Sequence, residues 1–343
     1  MTVRIGLIGC GSIARREHLP AFKASPDADV VAFASRSLAS AEAAAGEYGG
    51  GQDGAKRPLP QDGATRPLPK VFEDWHEVVE SDIDAVDICS PNASHAEQTI
   101  AAARAGKHVL VEKPMACTPA QADAMIAAAR EAGVVLQVAH NMRYVPAIVA
   151  ARDEVARGAI GDLVGARVAF GHAGPHNWAP SASWFYDPAL SGGGSLIDLG
   201  IHAIDFTRYV MRDEIVEVAA ILHGDGPVED AAHVLMRFAS GATGSLQSSW
   251  IISPAPDFAM TIFGTEGTLH VDARTPLHVR SKNGEKRVIE LPAVTANPCT
   301  DFVCTINGAT DAPSATGEDG RAALAVVCAA YEAARTGRTV AVS

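Results

Sequence analysis

The apolar positions of the first 140 residues fall into short β-branched runs that alternate with Ala-rich stretches at helical spacing. This alternation is typical of βαβ units, in which helices cover a parallel sheet. It predicts an α/β domain with a doubly wound parallel sheet over residues 1–140. The pattern places strands at 3–8, 30–34, 84–89, 108–111 and 134–138, and helices at 13–24, 39–48, 94–105 and 119–132.

The pattern changes after residue 141 and predicts a second, α+β domain over residues 141–343 with a large, mostly antiparallel sheet. If helices cover one face of this sheet, the other face needs a cover, and self-association is the usual one. Helices are predicted at 147–157 and 195–210, and strands at 164–170, 216–222, 233–238, 243–250, 259–263, 268–272, 277–280 and 287–291.

One segment interrupts the first domain. Residues 52–60 read QDGAKRPLP and residues 61–69 repeat them with Thr65 in place of Lys56. A stretch rich in Pro and Gly without apolar periodicity cannot offset its ordering entropy, so residues 52–69 are predicted to form a flexible tandem-repeat insertion. A Pro-rich recognition peptide is the alternative.

Composition narrows the class of protein. The 343 residues contain 28 Lys and Arg against 40 Asp and Glu, a net charge of −12, and no basic stripe, which argues against nucleic-acid binding. No apolar run approaches the roughly 20 residues of a membrane span, and the N-terminus lacks a signal-peptide core. Six dispersed cysteines without a CxxC pair predict reduced thiols in a cytoplasmic protein and no metal site.

A glycine motif follows the first predicted strand. Gly9 and Gly11 precede Ala14 in the spacing GxGxxA, and a helix is predicted to begin there. In a Rossmann domain such a turn lets the helix N-terminus and the loop amides, here including Ser12 and Ile13, hold a pyrophosphate. A tight turn without a ligand is the alternative.

The end of the second predicted strand bears on the choice of cofactor. An Asp or Glu at this place usually binds the adenosine ribose hydroxyls. This chain has Ser35 and Arg36 instead, which suit a 2′-phosphate. The sequence therefore favours NADP(H), with NAD(H) as the other candidate, unless Arg36 is simply a solvated side chain.

Polar residues also follow the next two predicted strands. Ser90, Asn92 and His95 come after one strand, and Glu112 and Lys113 after the next, at the sheet edge where ligands bind. Asn92 would equally serve as a helix cap. A desolvated Lys113 facing a nicotinamide would hydrogen-bond a substrate hydroxyl, although the Glu-Lys-Pro tripeptide fits a surface loop as well.

The second domain contains a triple glycine at 192–194 that leads to Asp198 and His202. These two residues are spaced i, i+4 and share one face of a predicted helix. Gly200 between them indicates the close approach of another group. We interpret the pair as general acid/base groups, with a buried hydrogen bond or half of a metal site as alternatives.

Together these motifs resemble the Gfo/Idh/MocA oxidoreductases, named for glucose-fructose oxidoreductase, inositol dehydrogenase and a rhizopine-catabolism protein. The resemblance covers nearly the whole chain outside 52–69. It implies an NAD(P)-dependent dehydrogenase or reductase acting on the CH–OH group of a sugar, inositol or related polyol. The cofactor-binding residues that are predicted are Gly9, Gly11, Ser12, Ile13, Ala14, Ser35, Arg36, Ser90, Asn92, His95, Glu112, Lys113 and Arg143.

The resemblance also implies roles in the reaction. His202 would take the proton of the hydroxyl while Lys113 and Asp198 position it, the Lys113-Pro114 bond would be cis, and the C-terminal sheet would form a homodimer or homotetramer. Family members that use nicotinamide transiently for hydrolysis or elimination, and a non-catalytic cofactor-binding sensor, are the alternatives.

A loop over residues 172–187 is rich in aromatic and polar side chains. Aromatic faces suit the C–H surfaces of a sugar, so this loop is predicted to form a substrate wall, although its rings would also suit a core. The predicted substrate-binding residues are Lys113, His172, His176, Trp184, Tyr186, Asp198 and His202, with Asn177 and Trp178 in the same loop.

Overall fold

A computed structural model of the chain describes residues 1–49, 68–252, 257–272 and 275–343. All but the last two residues of the predicted insertion at 52–69 therefore lie outside the described residues. The described chain forms two compact units. The first comprises Met1–Ala116, Ala120–Ala139 and Asn297–Glu318, and the second comprises Cys117–Pro119, His140–Ala296 and Asp319–Ser343.

The elements follow the predicted alternation closely. The strands are β1 (Val3–Ile8), β2 (Ala28–Ala34), β3 (Lys70–Phe72), β4 (Ala85–Ile88), β5 (His108–Val111), β6 (Leu136–Val138), β7 (Leu163–Gly171), β8 (Ile215–His223), β9 (Ala231–Phe238), β10 (Thr243–Ser249), β11 (Asp257–Gly264), β12 (Gly267–Asp272), β13 (His278–Ser281), β14 (Lys286–Val288) and β15 (Val340–Ala341). The helices are α1 (Leu19–Ala24), α2 (Leu38–Gly49), α3 (Trp75–Glu80), α4 (His95–Arg104), α5 (Pro119–Ala132), α6 (Pro146–Ala156), α7 (Pro188–Ser191), α8 (Ile201–Met211), α9 (Pro298–Ile306) and α10 (Gly317–Thr336).

The first unit contains a six-stranded sheet in the order β3-β2-β1-β4-β5-β6, and every strand pair is parallel. The predicted doubly wound sheet is confirmed. Strands buried on both faces read as continuous apolar runs, and all four residues of β4 are buried. The carboxyl ends of these strands meet at one edge, where the sequence motifs of the first domain lie.

Residues 297–318 pack in the first unit, although the sequence analysis assigned them to the second domain. The reason is the apolar face of α9, because Phe302 and Val303 are buried in the same core as Phe22 and Phe33. The sequence pattern did not predict β3, α3, α7, α10 and β15 either. In α10 the first residue is Gly317, a poor helix former, and a Cβ there would lie 2.9 Å from the Leu136 side chain.

The second unit contains a nine-stranded sheet in the order β14-β13-β12-β11-β7-β10-β9-β8-β15. Among the described residues of this second sheet, only the pair of β7 and β10 is parallel, so the predicted mostly antiparallel sheet is confirmed. Side chains alternate between a buried inner face and an outer face, as Val234 and Met236 are buried while Leu235 is 64% exposed. Ile221, which is paired with His233 in the neighbouring strand, lies on the same outer face and is 75% exposed.

No helix within the described part of the chain is both long and apolar enough to cross a membrane.

Candidate functional site

The glycine motif forms the turn between β1 and the helical segment that follows it. Gly9 has a φ of +95°, and a Cβ there would lie 2.5 Å from the backbone of Cys89 and Ser90 at the end of β4. Among the described residues, no atom would lie within 4 Å of a Cβ at Gly11. Gly9 is thus required by the protein's own packing, whereas the space in front of Gly11 is open.

The helical segment after this turn begins with Ser12 and Ile13, continues as a π-helical turn over Ala14–His18 and runs directly into α1. The first N–H groups of a helix have no partner within it and carry partial positive charge. An open space next to these groups fits a pyrophosphate. The residues present therefore fit the dinucleotide that the motif implies.

The end of β2 lies beside the same turn, because the Gly9 N–H donates to the Ala34 carbonyl at 2.9 Å. Ser35 and Arg36 follow directly. Ser35 is half-buried and its N–H donates to Phe72, while Arg36 is exposed. The structure thus brings the glycine turn and the predicted ribose-binding position together at one edge of the sheet.

The loops after β4 and β5 are joined by His95. Its Nδ1 lies 2.9 Å from the Pro114 carbonyl oxygen and its Nε2 lies 2.7 Å from the Ser90 carbonyl oxygen. Both ring nitrogens therefore lie within hydrogen-bond distance of backbone carbonyls, which points to a role in fixing these loops. Asn92 is buried in the turn between β4 and α4, but Ser94 occupies the cap position of α4.

Glu112 is also buried and is held from within the protein. Its Oε1 lies 3.0 Å from His18 Nε2, and its Oε2 accepts the N–H of Lys113 at 3.1 Å. Burial would raise the pKa of Glu112, but the bond and the charge of His18 lower it. The Lys113-Pro114 peptide bond is cis, which confirms that prediction. The side chain of Lys113 is partly exposed.

In the second unit, the triple glycine surrounds a buried carboxylate. A Cβ at Gly194 would lie 1.9 Å from the Glu229 carbonyl oxygen, and one at Gly193 would lie 2.0 Å from the Tyr331 hydroxyl. The Glu229 side chain accepts the N–H groups of Gly194 and Leu196 at 2.9 and 2.8 Å, and the Tyr331 hydroxyl donates to it at 2.9 Å. The glycines make room for this cap at the start of the next helix.

That helix begins with a π-helical turn over Leu196–Gly200, followed by α8. A Cβ at Gly200 would lie 2.6 Å from the Leu196 side chain and 3.5 Å from Ser248 in β10, in line with the predicted close approach. Asp198 and His202 are both buried on this helix. Single π-turns inside helices are frequent at functional sites.

Asp198 is the meeting point of two further side chains. Its Oδ2 accepts the indole N–H of Trp250 at 2.9 Å and lies 3.7 Å from Nε2 of His172. The Gly174 N–H donates to His172 Nδ1 at 3.0 Å, so the proton of a neutral His172 is on Nε2, towards Asp198. The sequence analysis found Asp198 and His172 but missed Trp250.

The remaining residues of the predicted substrate wall divide into two groups. Tyr186 lies with its ring 5.6 Å from that of Trp250, and its hydroxyl is 3.2 Å from Nδ1 of the exposed His176. Trp184 instead stacks on the buried Phe185 at 3.9 Å. Tyr186 therefore contacts Trp250, which binds Asp198, and His176 contacts Tyr186. Trp184 contributes instead to the aromatic packing within the loop.

Arg143 lies in a buried ion-pair network within the second unit. Its guanidinium binds Asp205 through two nitrogens, at 2.7 and 2.9 Å, and Asp319 at 3.0 Å. It also stacks over the Tyr209 ring. Burial would lower the pKa of Arg143, but the two carboxylates raise it. This arrangement favours a structural part for Arg143 over a direct cofactor contact.

A parallel sheet with an open glycine turn at its carboxyl edge defines a dinucleotide-binding domain of the Rossmann type. Residues 3–140 match a family model described as an oxidoreductase family with an NAD-binding Rossmann fold. Residues 148–270 match the GFO/IDH/MocA C-terminal domain. The chain belongs to the Gfo/Idh/MocA oxidoreductase family, and it is an oxidoreductase with a Rossmann domain for a nicotinamide dinucleotide.

Relatives of known name match along almost the whole chain. A 1,5-anhydro-D-fructose reductase from Ensifer adhaerens is 35% identical over 98% of this chain and 97% of its own. An inositol 2-dehydrogenase from Rhizobium meliloti is 29% identical over 100% of both chains. A solved structure of levoglucosan dehydrogenase with NADH and levoglucosan is 26% identical, with a TM-score of 0.85 over 100% of both chains.

Proposed function

We propose that this protein is a dehydrogenase or reductase that transfers a hydride between a nicotinamide cofactor and a sugar, inositol or related polyol. The open space in front of Gly11 is the observation that carries the cofactor part of the proposal. The names of the anhydrofructose, inositol and levoglucosan enzymes support the substrate class. When bound, the nicotinamide supplies the hydride or accepts it.

The cofactor in this proposal is NADP(H) rather than NAD(H). Ser35 and the exposed Arg36 support it, because a hydroxyl and a guanidinium suit a 2′-phosphate at the end of β2. Calorimetric titration should give a lower Kd for NADPH than for NADH. Arg36→Ala should cost NADPH alone about 1.5 to 3 kcal/mol, the range for a hydrogen bond to a charged group. Equal Kd values for the two cofactors in the wild type would contradict this choice.

The reacting groups we propose are Lys113 in the first unit and Asp198 and His202 in the second. Lys113 donates a hydrogen bond to the reacting oxygen, His202 holds or takes its proton, and Asp198 orients the hydroxyl. Asp198 is itself oriented by the indole N–H of Trp250 at 2.9 Å, which supports its role as a fixed acceptor. Family membership supports the assignment of all three.

The test of this assignment is turnover on a panel of sugars, inositols and anhydro sugars, followed at the reduced-nicotinamide absorbance band. Lys113→Ala and His202→Ala should each lower kcat by roughly 10² to 10⁴, the span for a positioned acid or base. Cofactor affinity should remain unchanged. Lys70→Ala and His223→Asn, both at exposed positions, are the matched controls. Near-normal turnover of His202→Ala would remove it from the role of base.

We further propose self-association through the outer face of the nine-stranded sheet. Ile221, Leu235 and Phe263 are apolar and exposed on that face, which supports the idea. Leu235→Glu should shift a dimer or tetramer towards smaller species in light scattering. The cytoplasm is the proposed location, because all six cysteines are free thiols, as is typical of a reducing compartment.

A further inference from the structure

Three charged side chains form a chain through the core of the first unit. His18 Nδ1 lies 3.0 Å from both carboxylate oxygens of Asp87, and His18 Nε2 lies 3.0 Å from Glu112. All three residues are buried, and Asp87 and His18 are separated by 69 positions in the sequence. This row of hydrogen-bonded side chains therefore connects the first helical segment with the ends of β4 and β5.

The geometry fixes the charge of the imidazole. Both ring nitrogens face carboxylate oxygens, which only accept hydrogen bonds, so both nitrogens must carry protons. Burial alone would lower the pKa of His18, but Asp87 raises it well above its ordinary value, with Glu112 on the other side. The thiols of Cys89 and Cys299 also face the ring, and burial raises the pKa of each, which keeps them neutral.

The row of hydrogen-bonded side chains ends at the backbone of Lys113. The second oxygen of Glu112 accepts the Lys113 N–H at 3.1 Å, and His95 lies 2.9 Å from the carbonyl of the next residue, Pro114. Buried side chains thus hold the N–H of Lys113 and the carbonyl of the residue that follows it. Charged hydrogen bonds are stronger than neutral ones and fix orientation more tightly.

We propose that His18 is a positioning residue for Lys113, acting through Glu112 and braced by Asp87. The proposal rests on the catalytic role proposed above for Lys113. His18 contacts neither substrate nor cofactor in this role, and its effect is to hold the Lys113 backbone in one orientation.

A contribution to the stability of the fold does not by itself account for these three buried charged side chains. Taking an imidazolium and two carboxylates out of water is costly, and apolar residues of similar volume are often as stable or more so. A metal ion is the competing explanation, because donor atoms of His18, Asp87 and Cys89 lie within 4.8 Å of one another. The hydrogen bonds of His18 account for that spacing with protons alone.

The experiment compares His18→Gln and Asp87→Asn with His108→Gln in the full chain saturated with oxidised cofactor, so that the hydride leaves the substrate carbon. Asp87→Asn keeps the shape of the side chain, so it provides a test if His18→Gln fails to fold. The control His108 is a partly buried histidine at the other end of β5, where its Nδ1 accepts the Val135 N–H at 3.0 Å. Three readouts are taken: hydrogen exchange of the Lys113 amide, kcat and KM, and the deuterium isotope effect with C-deuterated substrate.

We expect Lys113 amide exchange to accelerate about tenfold or more in both variants, and kcat to fall roughly 10- to 100-fold, as for a small misplacement of a reacting group. KM should change little, and the isotope effect should rise because hydride transfer becomes slower. His108→Gln should change none of these. Lower thermal stability with unchanged exchange and kcat would overturn the proposal, and so would one equivalent of bound metal in the purified wild type.

The outcome also separates this proposal from the assignment of Lys113. If Lys113→Ala retains turnover, the proposed function of Lys113 fails, whatever the exchange data show. If Lys113→Ala abolishes turnover while His18→Gln and Asp87→Asn exchange and react as the wild type does, only the positioning role of His18 fails.

Discussion

The two glycine-rich turns, one in each unit, lead into helices that begin in the same way but differ in what lies in front of them. Each helical segment has a π-helical turn near its start. A Cβ at Gly11 would meet no atom of the described residues within 4 Å, whereas one at Gly194 would lie 1.9 Å from the Glu229 carbonyl oxygen. The first turn is open and the second is filled by the protein itself.

This difference shows what a glycine turn can and cannot predict. A helix N-terminus attracts an anion in both cases. In the second unit the anion is the Glu229 carboxylate, which accepts the N–H groups of Gly194 and Leu196. In the first unit the open space leaves the place to a ligand. The motif therefore predicts that an anion is held, and only the surrounding structure identifies whose anion it is.

The largest effect should come from filling the second turn further. Gly194→Ala would place a Cβ against the backbone of Glu229, which cannot swing away as a flexible side chain could. We expect a loss of about 3 kcal/mol in the free energy of unfolding, the upper end for overpacking, measured by denaturant titration. Gly46→Ala is the matched control, since a Cβ there meets no atom within 4 Å. Equal unfolding midpoints for the two variants would show that the turn at Gly194 has room for a side chain.

The complementary change is Gly11→Ala. Because the added Cβ has no atom of the described part of the chain within 4 Å, the unfolding midpoint should stay within experimental error of the wild type. The same Cβ would occupy the space assigned to the pyrophosphate, so NADPH and NADH should both bind at least tenfold more weakly, a cost of about 1.4 kcal/mol. Calorimetric titration measures both affinities. Unchanged affinity would show that the open space serves another purpose.

The fold of the first unit followed from sequence because its signals are local. Apolar runs and helical spacing identified five of the six strands within a few residues. The strand β3 was missed because none of its three residues is fully buried, whereas the equally short β6 is buried throughout. The helix α9 was missed for a different reason. Its start is fixed by a capping box between Asn297 and Thr300 and its burial by a core formed far earlier in the chain.

The candidate site was predictable only in part, for the same reason. Lys113 and the pair Asp198 and His202 lie in short motifs, so residue type and spacing marked them. Their partners are distant in sequence: Trp250 is 52 positions from Asp198. The sequence contains one signal for Asp87, because an acidic residue inside an apolar strand needs a polar partner when it is buried. Nothing in the sequence identified that partner as His18.

The smallest expected effect is on the pH dependence of stability. It distinguishes two buried carboxylates, Glu229 in the filled turn and Glu112 beside His18. Burial raises the pKa of Glu229 above its ordinary 4.5, and the hydrogen bonds from its neutral N–H and O–H donors lower it by less than burial raises it. Burial would raise the pKa of Glu112 too, but the bond to charged His18 lowers it. The two groups should therefore contribute to stability with opposite dependence on pH.

A carboxylate with a raised folded pKa adds stability below its unfolded pKa and loses it as the pH rises through the folded value. One with a lowered folded pKa adds stability above the unfolded value and loses it as the pH falls through the folded one. As the pH is lowered through the carboxyl range, the wild type should therefore gain stability relative to Glu229→Gln and lose it relative to Glu112→Gln. Each pKa unit corresponds to about 1.4 kcal/mol, so denaturant titrations at a series of pH values resolve the sign. Slopes of the same sign for both variants would mean that the charge on His18 does not distinguish the two sites.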